Sequence, residues 1–370
     1  MAASSKVKTR VGENIELGFV EEVDSECLLS YQFPSKVGGL PAWLSLKPLP
    51  CLDELQCRKC DEPTVFLLQV YAPRDHSELT FHRTIFIFIC RNPACCQPNN
   101  NDNLRVFRSH LARINDFYSP EPPTDAVTAS TSADKRPHAR DYQTLCVICG
   151  APGPKTCSRC HKTSYCSKLH QTIDWKAIHK TICKDDGGGD TASGETVLTF
   201  KHPNVLFPEF ELVTEKEDFQ ATKVKSNEDK MKEYREFLSS DSAKDIDDSL
   251  NPEELDKMAT KSSEDDEQFQ AFKDRIRHEP EQVLRFDRGG EPLWISASNT
   301  PSEIPTCSCG SSRQFEFQVL PQLLCQLDVD SVGESLDWGV MAVYTCSQDC
   351  DIGNKYQEEF IWKQDLVKTD

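Results

Sequence analysis

Between residues 146 and 183 the chain sets metal-binding side chains in the order Cys146-x2-Cys149-x7-Cys157-x2-Cys160-x5-Cys166-x3-His170-x8-His179-x3-Cys183. Thiolates and imidazoles are ligands for zinc rather than for magnesium or calcium. Eight of them make two tetrahedral sites. A shell of four protein ligands leaves no place for a substrate, so these residues point to structural rather than catalytic metal. The segment is too small to fold on an apolar core alone, and metal binding would supply its folding free energy. His161, next to Cys160, is a spare imidazole that competes with His170 for one place in the set.

Two further groups lie outside this block. Cys57, Cys60, Cys90 and Cys95 make one candidate site, with Cys96 competing for the last place. Cys307, Cys309, Cys346 and Cys350 make its counterpart. Cys57-x2-Cys60 is a common zinc-knuckle spacing, whereas Cys307-x-Cys309 is tighter. Zinc in each is one reading; the other is buried reduced thiols, since free cysteine packs as a small hydrophobe. Cys27, Cys51, Cys96 and Cys325 read as core or surface thiols.

The background composition narrows the classes. The chain has 370 residues, a formal net charge of -18 and 18 cysteines. The sequence pI is about 5.0 and the mean hydropathy -0.54. A whole-chain nucleic-acid binder would lean basic. No apolar run approaches about 18 residues, so no membrane partner is expected. The N-terminus lacks the apolar stretch of a signal peptide, which predicts a reducing compartment where clustered cysteines mean metal more often than disulfides. No GxxxxGK[ST], GxGxxG after a strand, GxSxG or HExxH occurs. His82 lies in an alternating run and reads as packing. The expectation is a protein that is not an enzyme.

These residues need elements to hold them, and the sequence suggests two similar sets. GGLPAWL (38–44) is matched by GGEPLWI (289–295). Each is followed by a cysteine pair, 14 positions after Trp43 and 13 after Trp294. Nine residues past each pair comes the same dipeptide, Gln69-Val70 and Gln318-Val319. Each half then reaches an apolar strand ending in cysteine, Cys90 and Cys346, with another cysteine close by. The predicted fold class is α+β, mainly β, with two similar β-rich halves, 11–118 and 268–370, forming a pseudo-symmetric core. Residues 1–10 read as a disordered tail and the Pro/Ser/Thr-rich stretch 119–140 as a linker. The cysteine block occupies 141–184. An acidic arm, largely disordered and partly ordered near 196–212, spans 185–267; within it, 211–267 holds 19 acids and 9 bases. Phe269, Phe272 and Ile276 predict a short amphipathic helix.

The block 146–183 resembles the MYND zinc finger. That resemblance implies interleaved ligands: Cys146, Cys149, Cys166 and His170 for one zinc, and Cys157, Cys160, His179 and Cys183 for the other. Two features depart from the family pattern. His170 stands where most members have cysteine, and five residues rather than four separate Cys160 from Cys166. The resemblance also implies docking of short, often proline-containing peptides. The finger's net charge of +5 makes DNA contact the lesser alternative.

Across nearly its whole length the chain resembles the MYND-containing form of the programmed cell death protein 2 family. The marks are ELGFVE (16–21), PSKVGGLPAWL (34–44), CRKC (57–60), FIFICRNPAC (86–95), the finger, EPEQVLRFDRGGEPLW (279–294), CSCGSSRQFEFQVLPQLL (307–324) and LDWGVMAVYTCSQDC (336–350). The family implies a dedicated chaperone and adaptor for a ribosomal protein, small ribosomal subunit protein uS5, in 40S assembly. It also implies links to proliferation, cell death and corepressor-type proteins, and a location in cytoplasm and nucleus. A carrier of net charge -18 suits a basic client, because complementary charge speeds encounter.

Overall fold

The run that ends at Cys90 forms a strand over His82–Ile89, and every residue of it is buried. In the computed structural model, which describes residues 15–74, 77–121, 136–183, 205–218, 264–329 and 335–366, it is the fourth of thirteen strands. The others are β1 (Glu16–Glu21), β2 (Lys36–Val37), β3 (Val65–Tyr71), β5 (Leu104–Leu111), β6 (Lys155–Thr156), β7 (Ser164–Tyr165), β8 (Phe210–Lys216), β9 (Leu284–Phe286), β10 (Arg313–Val319), β11 (Val340–Cys346), β12 (Tyr356–Glu358) and β13 (Phe360–Gln364). Helices are few among the described residues: α1 (Lys168–Asp174), α2 (Lys180–Ile182), α3 (Glu264–Ile276) and α4 (Leu323–Gln326). The fold is therefore mainly β. No helix among the described residues is long and apolar enough to cross a membrane.

Eleven strands make one antiparallel sheet in the order β12-β5-β4-β3-β2-β8-β1-β9-β10-β11-β13. Its two end strands are one piece of chain, separated only by Glu359. Tyr356–Glu358 pairs with β5, and Phe360–Gln364 pairs with β11. The Glu359 amide donates to the Val106 carbonyl at 2.9 Å. One extended segment thus joins both ends, and the sheet nearly closes on itself, which removes two edges that would otherwise invite foreign strands.

Both cysteine-bearing parts of the sheet show the same local devices. The β3–β4 register slips between Phe66 and Leu68, and the β10–β11 register slips between Phe315 and Phe317. The extra residue of each bulge, Leu67 and Glu316, accepts a backbone bond from the chain leaving β2 or β9. The Gln69 side chain grips Ala42 through both amide and carbonyl, and the Gln318 side chain grips Leu293 in the same way. Each gripped residue precedes the motif tryptophan. Trp43 is buried against Phe86 and Phe88. Trp294 packs against the buried cluster of Phe315, Ala342 and Tyr344, as do Phe360 and Trp362.

The acidic stretch holds more structure than its composition suggests. Its FELVTEK segment is β8, wedged between β2 and β1 in the sheet. The ordered stretch therefore reaches residue 218, beyond the 196–212 expected, and the sheet is not built from 11–118 and 268–370 alone. Residues 207–209 cross over Gly38 and Gly39, whose positive φ angles and close neighbours demand glycine. A Cβ on Gly38 would lie 1.7 Å from the Pro208 carbonyl oxygen. The helix predicted from Phe269, Phe272 and Ile276 is α3; it begins at Glu264, inside the expected arm, and packs Phe272 and Ile276 against Ile295, Leu320 and Val340. The remainder of the expected arm, 185–204 and 219–263, the middle of the expected linker, 122–135, and the expected tail, 1–10, lie outside the described residues.

Candidate metal centres

Each centre starts as a local turn. In Cys57–Cys60, Cys146–Cys149, Cys157–Cys160 and Cys307–Cys309, the residue after the second cysteine has a positive φ: Asp61, Gly150, His161 and Gly310. In each, the amide of that residue donates to the carbonyl of the first cysteine, at 2.8 to 3.0 Å. This closed turn aims both sulfurs of the pair to one side. The second half of each set comes from farther along the chain.

In the finger, the Ser167 hydroxyl caps α1 by accepting from the His170 amide, which fixes His170 in the first turn. The helix then passes through a π-helical turn, Trp175–His179, before α2. Such turns reset the helical face, and here His179 and Cys183 come round to Cys157 and Cys160. Buried Tyr165 donates to the buried Asp174 carboxylate at 2.7 Å, which ties β7 to the end of α1.

The ligand atoms converge in four groups, in each of which all lie within 4.8 Å of one another: Cys57, Cys60, Cys90 and Cys95; Cys146, Cys149, Cys166 and His170; Cys157, Cys160, His179 and Cys183; and Cys307, Cys309, Cys346 and Cys350. Sulfur pairs stand 3.7 Å apart in Cys60–Cys90, Cys307–Cys350 and Cys309–Cys346, 3.6 Å in Cys149–Cys166 and 3.8 Å in Cys157–Cys183. A zinc–sulfur tetrahedron with bonds of about 2.3 Å has edges of about 3.8 Å. Cys160 Sγ to His179 Nε2 is 3.5 Å and Cys146 Sγ to His170 Nδ1 is 3.6 Å. Donor type and spacing both fit zinc.

Electrostatics points the same way. Hydrogen bonds from Cys149 and Cys166 hold the Cys146 thiol far below its ordinary range. The same bonds, together with burial, push Cys149 well above it and Cys166 up to about 12. Burial raises Cys95 and Cys350 to about 12 as well. Four neighbouring thiols cannot all ionise against one another, whereas a divalent cation holds coordinating thiols deprotonated.

The two competitors are placed elsewhere. His161 is the exposed left-handed residue that closes its own turn, and it is not among the residues whose ligand atoms converge. Cys96 Sγ instead meets the backbone of Asp337, at 3.0 Å to the carbonyl and 3.4 Å from the amide. Sequence reasoning missed the residues that surround the sulfurs. Arg108 donates to Cys350 Sγ at 3.4 Å, and Asp349, between Cys346 and Cys350, ion-pairs with Arg83 and Arg288. Arg108 and Arg83 lie on β5 and β4, too far away in sequence for local spacing to reveal.

The finger is docked on the sheet. The indole nitrogen of Trp43 donates to the Gly150 carbonyl at 2.9 Å. A Cβ on Gly150 would be 3.3 Å from Pro41. Ile148, Ala151 and Tyr165 of the finger belong to the same continuous apolar core as Phe86 and Phe88.

Comparison with known proteins agrees with this arrangement. The N-terminal and C-terminal domains of programmed cell death protein 2 match residues 14–125 and 266–365, and the MYND finger matches 146–183. Programmed cell death protein 2 of Rattus norvegicus is 47% identical over 357 residues, covering 96% of this chain and 97% of its own. Programmed cell death protein 2-like of Homo sapiens is 28% identical over 335 residues, 85% of each chain. A Schizosaccharomyces pombe protein named "Probable 20S rRNA accumulation protein 4" is 26% identical over 388 residues, covering 90% of this chain and 92% of its own. No solved structure matches the chain. With both flanking domains and the finger in the same order, and near-complete coverage at close to half identity, the chain belongs to the programmed cell death protein 2 family.

Proposed function

We propose that this chain is a non-enzymatic carrier: a dedicated chaperone and adaptor for a basic ribosomal protein, small ribosomal subunit protein uS5, serving 40S assembly, with effects on proliferation and cell death that follow from it. The observation that carries the ribosomal direction is the likeness, over 90% of the chain, to a fission-yeast protein whose name ties it to 20S rRNA accumulation. The net charge of -18 supports a basic client. So does one sheet edge: β8 pairs with β2 only at Phe210 and Glu211, and among the described residues no strand covers the far edge from Val213 to Lys216. Glu211 and Glu215 lie on that strand, so an extended basic segment could add to it by backbone bonds.

In this reading the sixteen converging residues hold four Zn2+ ions, two in the finger and one in each β-rich half, and the zinc is structural. The two halves are copies of one unit; their matching bulges and glutamine grips support this. The protein works in cytoplasm and nucleus, taking its client as it is made. Purifying the tagged chain with its ribosome-bound partners tests the proposal. Enrichment of nascent uS5 is expected; its absence at native expression defeats the proposal.

A second reading has one observation of its own. The finger helix exposes Lys168, Leu169, Lys176, Lys180 and Ile182, a mixed basic and apolar face. Such a face suits corepressor-type proteins in a nuclear regulator, with DNA the lesser candidate. Recovery of chromatin complexes in place of uS5 would favour it.

A further inference from the structure

We propose that Cys309 is an oxidisable thiolate through which hydrogen peroxide opens the C-terminal metal group and loosens the joint between the two ends of the sheet. This rests on the reading that Cys307, Cys309, Cys346 and Cys350 hold zinc.

The four groups differ in how they shelter their sulfurs. All eight finger ligands are buried, and in the N-terminal group three are buried and Cys60 is half-buried. In the C-terminal group Cys309 is exposed and Cys350 half-buried. Cys309 sits on the short turn closed by Gly310, where a Cβ would meet nothing within 4 Å. An open cleft of about 400 Å³ reaches both Cys309 and Cys350 and is lined by Ser308, Asp351, Lys355 and Gln357. A small polar oxidant can therefore reach this group directly. Exposure and thiolate character together decide which cysteines oxidise.

The chemistry needs only peroxide. The Cys309 thiolate attacks one peroxide oxygen; an S–O bond forms, the O–O bond breaks and hydroxide leaves, giving the sulfenic acid. Cys346 Sγ stands 3.7 Å away. Its thiolate attacks the Cys309 sulfur; an S–S bond forms, the S–O bond breaks and a second hydroxide leaves. The two sulfurs lose two electrons and the peroxide gains them. A disulfide no longer supplies two anionic ligands, so the zinc is released.

The Cys346–Cys350 turn is where that change is felt. Asp349 within it, at φ 45°, faces Arg83 Nε at 3.0 Å and accepts from Arg288 at 2.9 Å. Cys350 accepts from Arg108, whose Nε donates at 2.8 Å to Glu359, the residue between β12 and β13. Relaxing the turn therefore frees Arg83 of β4 from Asp349 and loosens Arg108, which holds β5 to the closing segment at Glu359.

The test uses the full zinc-loaded chain carrying Cys51→Ser and Cys325→Ser, which removes two exposed thiols outside every group. Zinc content is measured first, then peroxide is added stepwise while released zinc is followed with a colorimetric chelator and the cysteines are mapped by mass spectrometry. The expected result is release of one zinc before any second, together with a Cys309–Cys346 disulfide and faster amide exchange in 104–111 and 356–364. Cys309→His, which keeps a ligand without an oxidisable sulfur, should slow the first release at least tenfold. A first disulfide in another group, or Cys309→His losing its first zinc as fast as the parent, overturns the proposal. A starting content below four with Cys307 and Cys346 freely alkylated overturns the zinc reading beneath it.

Discussion

Arg83 on β4 and Glu316 on β10, 233 residues apart, form a two-pronged ion pair at 2.8 and 3.0 Å with neither side chain exposed. Glu316 is the bulge residue of its strand, and Arg288 and Thr345 also donate to it. Burial alone would raise its carboxyl, but Arg83 and then Arg288 outweigh burial and hold it down to about 2. Replacing it leaves two arginines partly unpaired inside the sheet, so Glu316→Gln should cost about 3 kcal/mol at pH 7. The folded value lies below the ordinary carboxylate value, so this contribution is complete above about pH 4.5 and fades as pH falls toward 2. Urea unfolding of both proteins at pH 7, 5 and 4 checks this: the difference should hold from 7 to 5 and shrink at 4.

Four zinc ions per chain are expected by elemental analysis of the purified protein. A content of two would mean that the Cys57 and Cys307 groups are free thiols without metal. A content below two would remove the finger assignment as well.

His170 and His161 can be told apart by substitution. His161→Ala should leave the zinc content unchanged, because that side chain is exposed. His170→Ala should cost the finger one zinc, or weaken it by an order of magnitude or more, with a fall in melting temperature.

Trp43 couples the finger to the sheet. Trp43→Phe keeps the aromatic packing but leaves the Gly150 carbonyl without its donor, at a cost of about 1 to 2 kcal/mol. Amide exchange should rise in both 146–183 and 82–89. A rise confined to one of them would show that finger and sheet open independently.

Gly38→Ala is predicted to be severe, at about 3 kcal/mol or more, because the new methyl collides with the Pro208 carbonyl at a left-handed position. Equilibrium denaturation would show it, and Gly310→Ala, whose surroundings are open, is the milder control.

What could be read from sequence was what lies close together along it. The cysteine pairs, the apolar strand that ends at Cys90, the helix at 269–276 and the eight finger ligands depend on local spacing, which the two halves repeat outside the finger. The division of the finger ligands into two interleaved sets came from the resemblance to the MYND finger. What could not be read depends on distant pairing. FELVTEK carries acids at 211 and 215 and shows only weak alternation, so nothing local marks it as a sheet strand; its place comes from β1, nearly two hundred residues earlier. Gly38 and Gly39 are marked in the sequence as the start of the repeated motif, and their need for glycine comes from positive φ and equally from residues 207–209 crossing above them. Arg83 sits in the run that reads as packing and Arg108 in a stretch that no motif marks, and only the folded sheet brings them to Glu316, Asp349 and Glu359.

The segment Tyr356–Gln364 has a further consequence for how the protein is made. Synthesis delivers it after every other described strand of the sheet, so a nascent chain that has already built β3, β4 and β5 must wait with the outer side of β5 uncovered, and β11 waits in the same way. Folding of the sheet can finish only once those residues clear the ribosome, and contacts spanning about 250 residues then form last. Until that moment the chain is itself a client, with open strand edges of the kind that other chains pair with.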